Sequence, residues 1–282
     1  MLTKPIKIPD FPDQVTSKKV GPMKGLTLER FQELENAPFL ISIDYDDFST
    51  TILDYAMPVH EEKKVPGTFF ITTRNVEEQD RIIEGSEGTW GEPVTWGEVR
   101  GMKLSGFMDI QNHTYSHLKL GEISKAQMVE QFEKSQDLFV KNGIFPRHIS
   151  YPYGNFNSET LELVGTYFET ARALGAEHYF NTLETIDFTK VGCAVSDGQD
   201  VQIIKGRVSN VRNNGGWMDM LFHAIHPDGI TDKGRSCTTP TELAEIIDDV
   251  ISKGGVFGTY DEIVSYYMLK KLGASELHHT GW

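Results

Sequence analysis

Short apolar runs and polar, helix-patterned stretches alternate along this chain from residue 39 onward. "FLISI" (39–43), "GTFFIT" (67–72), "GFMDI" (106–110), "RHISYPY" (147–153), "ETARAL" (169–174) and "WMDMLF" (217–222) each read as a strand, and "GGVFGT" (254–259) as one more. The helical patterns carry explicit start signals. Ser124 with Gln127 forms a capping box ahead of "KAQMVEQFEKSQDLFVKNG", which stops at Gly143. Thr239, Pro240 at the first helical position and Glu242 open a second helix, whose Leu243, Ile246, Ile247, Val250 and Ile251 form one apolar face. Thr259 with Glu262 caps a third, "YDEIVSYYMLKKL", ending at Gly273. This alternation predicts an α/β fold with a mostly parallel sheet, barrel or doubly wound, as a single domain over residues 37–282. Residues 1–36 hold four prolines and no clear period, and read as an extended N-terminal arm.

Charge narrows the partners. Lys plus Arg is 27 and Asp plus Glu is 41, a formal net charge of −14 over 282 residues. Nucleic acid and anionic membranes need basic patches, so neither is an expected partner. No run approaches the roughly 18 apolar residues of a membrane span. The start, "MLTKPIKIPDFPDQ", has no signal-peptide core, so the chain reads as cytoplasmic or as secreted after removal of a signal. Cys193 and Cys237 read as free thiols. Oligomeric state is not legible.

In barrels and doubly wound sheets, sites gather at the carboxyl ends of strands. One such end, "ISIDYDDFST" (41–50), packs Asp44, Asp46 and Asp47 into four positions. Crowded carboxylates repel unless positive charge lies among them. "GFMDIQNHTYSHLKL" offers a counterpart. His113 and His117 stand at i and i+4, on one face if a helical turn begins here, with Asn112 as its cap. Two imidazoles and a strand-end carboxylate make a three-ligand set for zinc. "ISYPYGNFN" (149–157) is a rigid turn whose Tyr153 N–H is a candidate oxyanion donor, with Gly154 free to take positive φ. In "GGWMDMLFHAIHPDG" (215–229), His223 follows a strand end, with His226 a competitor for its role.

Together, and in this order, these stretches resemble the polysaccharide deacetylase family, the carbohydrate esterases with a NodB-type domain. The likeness runs over about residues 39–267. Asp44-Tyr45-Asp46-Asp47-Phe48 is similar to the family's Thr-Phe-Asp-Asp-Gly, and His113-Thr114-Tyr115-Ser116-His117 to its His-(Ser/Thr)-x-x-His. The Tyr-Pro-Tyr-Gly turn and Leu221-Phe222-His223 resemble its later motifs. The resemblance implies an irregular (β/α)7-type barrel and a metal-dependent hydrolase that removes N- or O-linked acetyl groups from a carbohydrate. Asp47, His113 and His117 would hold zinc, or another divalent transition metal such as cobalt or nickel. Asp46 would be the general base for the attacking water and His223 the acid for the leaving group. Tyr153 would stabilise the oxyanion, and Leu221, Trp217 and Tyr151 would contact the acetylated carbohydrate.

The chain also departs from the family pattern. Phe48 stands where a glycine is usual, and Ser150 where many members carry an arginine that pairs with the catalytic aspartate; Arg172, from "ETARAL", is the expected replacement. For the fourth motif, Asp197 is the nearest match. Trp90 and Trp96 are further candidates for sugar stacking. Two rival readings stand beside this one. "FLISIDYD" also suits a magnesium-dependent phosphohydrolase of the haloacid dehalogenase type, with Asp44 as nucleophile. Phe48 and Ser150 would also suit a relative that binds metal or sugar without turnover.

Overall fold

In the computed structural model, which describes residues 26–79, 91–174, 179–231 and 234–273, "LISIDYDD" forms strand β1 (Leu40–Asp47), and all eight of its residues are buried. Successive strand side chains point to opposite faces, so Ile41, Ile43 and Tyr45 go one way and Ser42, Asp44 and Asp46 the other. The apolar set joins Met218, Met220, Phe222, Ile246 and Ile247 in the main core, between strands and helices. The polar set faces the inside of a closed sheet, where Asp46 meets Arg172 and Ser42 meets Trp217.

Six further parallel strands complete that closure: β2 (Gly67–Ile71), β3 (Met108–Asn112), β4 (His148–Ser150), β5 (Thr170–Leu174), β6 (Val191–Val195) and β7 (Trp217–Phe222). Each pairs with the next, and β1 joins β7 along Leu40–Tyr45 and β2 along Asp44–Asp47. A two-residue β8 (Val256–Phe257) lies against the start of β1. The irregular seven-stranded α/β barrel expected from the sequence is the architecture observed. Helices α1 (Leu28–Asn36), α2 (Met57–Lys63), α3 (Thr73–Glu78), α4 (Trp96–Ser105), α5 (Lys125–Lys141), α6 (Ser158–Tyr167), α7 (Val201–Asn214), α8 (Pro240–Ser252) and α9 (Tyr260–Lys271) accompany the strands. The capping boxes expected at Ser124, Thr239 and Thr259 all form. None of these helices is long and apolar enough to cross a membrane.

Strand β6 has no counterpart in the expected list. Its sequence, "VGCAV", holds Gly and Ala, which weaken a strand signal, and only its neighbours β5 and β7 define it. The extended arm expected over residues 1–36 lies outside the described residues up to 25. Leu28–Asn36 is not extended but helical: Thr27 caps it, and Phe31 and Leu34 are buried with Ile263, Val264 and Tyr266 of α9.

The first turn of α9 closes the amino-terminal end of the barrel. The Tyr260 N–H donates to Thr68 Oγ1 at 2.8 Å, and its ring packs on Phe70 and Trp217 at centroid distances of 5.3 Å. Trp217, expected to line the substrate pocket, belongs to this plug. It is fully buried at the start of β7, at the end of the strand away from His223, and its Nε1–H donates to Ser42 Oγ at 3.0 Å. Trp217→Ala should therefore cost about 3–5 kcal/mol of folding stability by urea unfolding, whereas a substrate contact would show mainly as a raised KM.

Candidate metal centre

At the carboxyl end of β1 the backbone turns sharply. Asp47 has φ 78°, in the left-handed region, and its carbonyl accepts the Thr72 N–H at 2.8 Å. Phe48, where the related sequences usually have glycine, is fully buried in the main core, and its carbonyl accepts the Val94 N–H at 2.8 Å. The strained position is thus Asp47, and Phe48 anchors the turn from the core side.

After β3 the chain forms a loop, not the helical turn that the His113/His117 spacing suggested. Asn112 Oδ1 accepts the Thr114 N–H at 2.7 Å, a turn two residues long that takes the place of a helix cap. Thr114 and His117 both have positive φ, 69° and 61°. Helix α5 holds the loop in this form: Ser135 Oγ donates to Asn112 Oδ1 at 2.9 Å, and the Ser116 N–H donates to Gln131 Oε1 at 2.8 Å. The two imidazoles come together with ring centroids 4.8 Å apart.

The loop and the strand end converge. His117 Nε2 lies 3.3 Å and His113 Nε2 3.7 Å from Asp47 Oδ1, and the three candidate ligand atoms all fall within 4.8 Å of one another. His113 Nδ1 faces the Ser150 carbonyl at 3.0 Å; donating there leaves the Nε2 lone pair directed at Asp47. Asp47 Oδ1 is buried without a hydrogen-bond partner. Burial pushes the Asp47 carboxyl above its ordinary pKa, and burial, reinforced by His113 and His223, pushes His117 well below its own. An acceptor-only carboxylate oxygen and two imidazole nitrogens form a donor set that suits a divalent transition metal. A metal ion fits here.

Asp46 belongs to a different set of contacts. Its Oδ2 lies 3.6 Å from His113 Nε2, and its Oδ1 is paired with the Arg172 guanidinium and lies 3.4 Å from Ser150 Oγ. The β4–β5 register places Arg172 directly beside Ser150. Arg172, the replacement expected from the sequence, thus meets the Asp46 carboxylate from the strand beside Ser150. Burial alone would raise the Asp46 carboxyl, but Arg172, with His113 and His223, outweighs it and holds the pKa below the ordinary value.

His223 closes the group. Asp197 accepts both its backbone N–H, at 2.7 Å, and its Nδ1, at 2.6 Å. Burial opposes the imidazolium, but the Asp197 carboxylate, aided by Asp47 and Asp46, raises the pKa to about 9. Asp197 was the weakest of the sequence matches, since its loop, "VSDG", carries no distinctive neighbour. His226 turns instead toward Tyr55, ring to ring at 5.5 Å, and toward Asp228. The Tyr153 ring stands on the rim, 37% exposed and 4.5 Å from the His117 ring, with its backbone at φ 58°. Gly154 also has positive φ, and a Cβ there would come within 2.5 Å of Leu174 Cβ.

Other expected contacts lie elsewhere. Tyr151 is 2% exposed, packs in the core under α5 and α6, and donates its hydroxyl to the Thr189 carbonyl at 2.7 Å, so it faces away from the cleft. Trp96 lies on α4 against Phe139 and donates to Glu77. Trp90 lies outside the described residues. Leu221 is fully buried on the inner face of β7, two residues before His223. Asp44, the nucleophile of the phosphohydrolase reading, is enclosed inside the barrel with no exposure, out of reach of a substrate.

The family model described as "Polysaccharide deacetylase" matches residues 35–167, which include Asp46, Asp47, His113 and His117. Over this stretch, a little under half of its length, the chain is similar to the polysaccharide deacetylase family. Among curated proteins, it is 26% identical over 167 residues to a poly-beta-1,6-N-acetyl-D-glucosamine N-deacetylase of Staphylococcus aureus, covering 55% of either chain. The Staphylococcus epidermidis protein of the same name is 28% identical over 169 residues, covering 54% of this chain and 55% of the relative. The chain thus spans about half the length of the curated relatives it matches. Among solved structures, a family 4 carbohydrate esterase from Streptomyces lividans, in complex with acetate, superposes with a TM-score of 0.56 at 16% identity, over 79% of this chain and 93% of that one. A peptidoglycan deacetylase from Bacillus subtilis gives 0.52 at 18% identity, over 84% and 95%.

Replacing Asp47 or His117 by Ala should abolish stoichiometric zinc binding, read by metal analysis of the dialysed protein. Zinc should raise the Tm of the unaltered chain, by mass action on the folded state, and leave both variants unmoved.

Proposed function

We propose that the protein is a metal-dependent hydrolase that removes acetyl groups from a carbohydrate. The observation that carries this reading is the division of the strand-end acids: Asp47 meets two imidazoles, while Asp46, one residue earlier, is kept ionised by Arg172. Asp47, His113 and His117 would hold the ion, zinc or another divalent transition metal such as cobalt or nickel. The ion supplies Lewis-acid activation of water and of the acyl carbonyl.

The remaining work falls to this chain's own side chains. Asp46 takes the proton of the attacking water as its oxygen adds to the acetyl carbon. As a fixed carboxylate, it contributes roughly 10²–10⁴-fold through position. Tyr153, on its left-handed turn, directs its backbone N–H toward the developing oxyanion. His223, oriented through Nδ1 by Asp197, donates a proton from Nε2 to the departing nitrogen or oxygen as the C–N or C–O bond breaks. Acetate and the free amine or hydroxyl leave. Leu221 forms the floor beneath the acetyl methyl. The names of the staphylococcal relatives support an N-acetylated glucosamine polymer as the first substrate to try, and the net charge of −14 suits a product polymer that gains positive charge.

Four expectations test this scheme. Acetate release from a panel of acetylated glucosamine oligomers and xylan should require metal and stop with chelator. Asp46→Asn should keep its zinc yet lose about 10²–10⁴ in kcat; full activity in that variant would remove Asp46 as the base. The basic limb of kcat should fall where His223 loses its proton, at or below about 9, because a cation on Asp47 offsets part of the charge that raises it. The same raised pKa stabilises the fold below the ordinary histidine value of about 6.5, and that contribution is lost between there and about 9. His223→Ala should remove both the kinetic limb and this slope of stability with pH.

A further inference from the structure

Beneath Asp46 the barrel interior holds a second charged group with no task in the reaction. Asp44 and Asp219 are both fully buried. The β1–β7 register sets Asp44 beside Leu221 and Asp219 beside Ser42, so on the inner face the two carboxyls are diagonal neighbours on adjacent strands. All four of their oxygens lack a hydrogen-bond partner among the described residues. Arg172 is the nearest cation, with Nε 3.9 Å from Asp219 Oδ2, but its Nη2 is committed to Asp46. Other titratable groups facing this space are Cys193 of β6 and Tyr260 of α9, both kept neutral because burial raises their pKa values. One guanidinium therefore meets three buried carboxyls.

Three ionised carboxylates around one cation, out of contact with water, would leave uncompensated charge in a low-dielectric interior, which costs several kcal/mol per ion. A single proton between Asp44 and Asp219 removes that imbalance and gives the two groups a mutual O–H···O hydrogen bond. Burial first, and each other's charge next, push both carboxyls upward, against the pull of Arg172.

We propose that Asp44 and Asp219 share one proton and act as a positioning pair whose single negative charge holds Arg172 between the barrel floor and Asp46. Two full charges below would draw the guanidinium away from Asp46. None would leave nothing below to hold it, and the guanidinium would shift toward Asp46. The pair thus sets where Arg172 sits against Asp46, an inference that rests on the reading of Asp46 as the base.

The shared proton is read without activity, by carbon-13 carboxyl NMR of the full chain labelled at aspartate, metal-free and zinc-loaded. One aspartate pair should remain protonated through neutral pH in both forms, and its signal should vanish in Asp219→Asn and in Asp44→Asn. An unaltered protein whose aspartates are all ionised at neutral pH overturns the proposal. Kinetics test the positioning role. Each single Asn variant keeps one charge below Arg172 and should lose no more than about fivefold in kcat. The double variant keeps none, and should lose roughly thirtyfold or more in kcat with KM little changed. A double variant no worse than the product of the singles also overturns it. Full activity of Asp46→Asn alongside the protonated pair would instead remove the base reading while leaving the shared proton standing.

Discussion

Charge taken out of water must be met by opposite charge or by a proton, and that constraint governs the axis of this barrel from the cleft to the floor. At the top, Asp47 and two imidazoles converge on a point where a cation fits. One layer down, Asp46 and Arg172 compensate each other while fully enclosed. Below them lie two more aspartates with no hydrogen-bond partner among the described residues. A barrel interior is ordinarily filled by layers of branched apolar side chains. Here Ile41, Ile43 and Tyr45 of β1 and Met218, Met220 and Phe222 of β7 face the surrounding helices, and Tyr260 and Trp217 seal the bottom with aromatic surface.

Backbone strain collects where the ligands are presented. Asp47, Thr114, His117 and Tyr153 all adopt positive φ without being glycine, and all four lie at the candidate centre. Such conformations cost of order 1–3 kcal/mol each and persist only where the surroundings enforce them. The enforcement is visible in Phe48 locked in the core, in Gln131 and Ser135 of α5 gripping the histidine loop, and in the tight turn at Gly154. The candidate ligand atoms are thereby held in place, so little reorganisation would be needed for an ion to bind.

The two departures from the related sequences have local explanations. Phe48 does not open the turn, because the left-handed residue is Asp47. Ser150 does not remove the counter-charge of Asp46, because Arg172 is its register partner and a guanidinium on a long stem reaches the same carboxylate from the next strand. Ser150 Oγ instead faces Asp46 and His113.

Read alone, the chain made a mostly parallel α/β sheet legible, because strand and helix periodicity and capping boxes are local properties carried by neighbouring residues. The choice of barrel over doubly wound sheet came from the family resemblance. The acid and histidine clusters were legible for the same reason: each lies within a few positions. What it could not reveal depends on chain segments far apart in sequence. β6 exists as a strand through its pairing partners, and Asp197 acquires meaning through a loop meeting His223. The inward turn of Trp217 and the outward turn of Tyr151 also follow from closure, which decides which face of a strand is inside. Whether Asp44 and Asp219 meet Arg172 was likewise settled by register and closure, since electrostatic partners are chosen by distance in space and no local pattern encodes it.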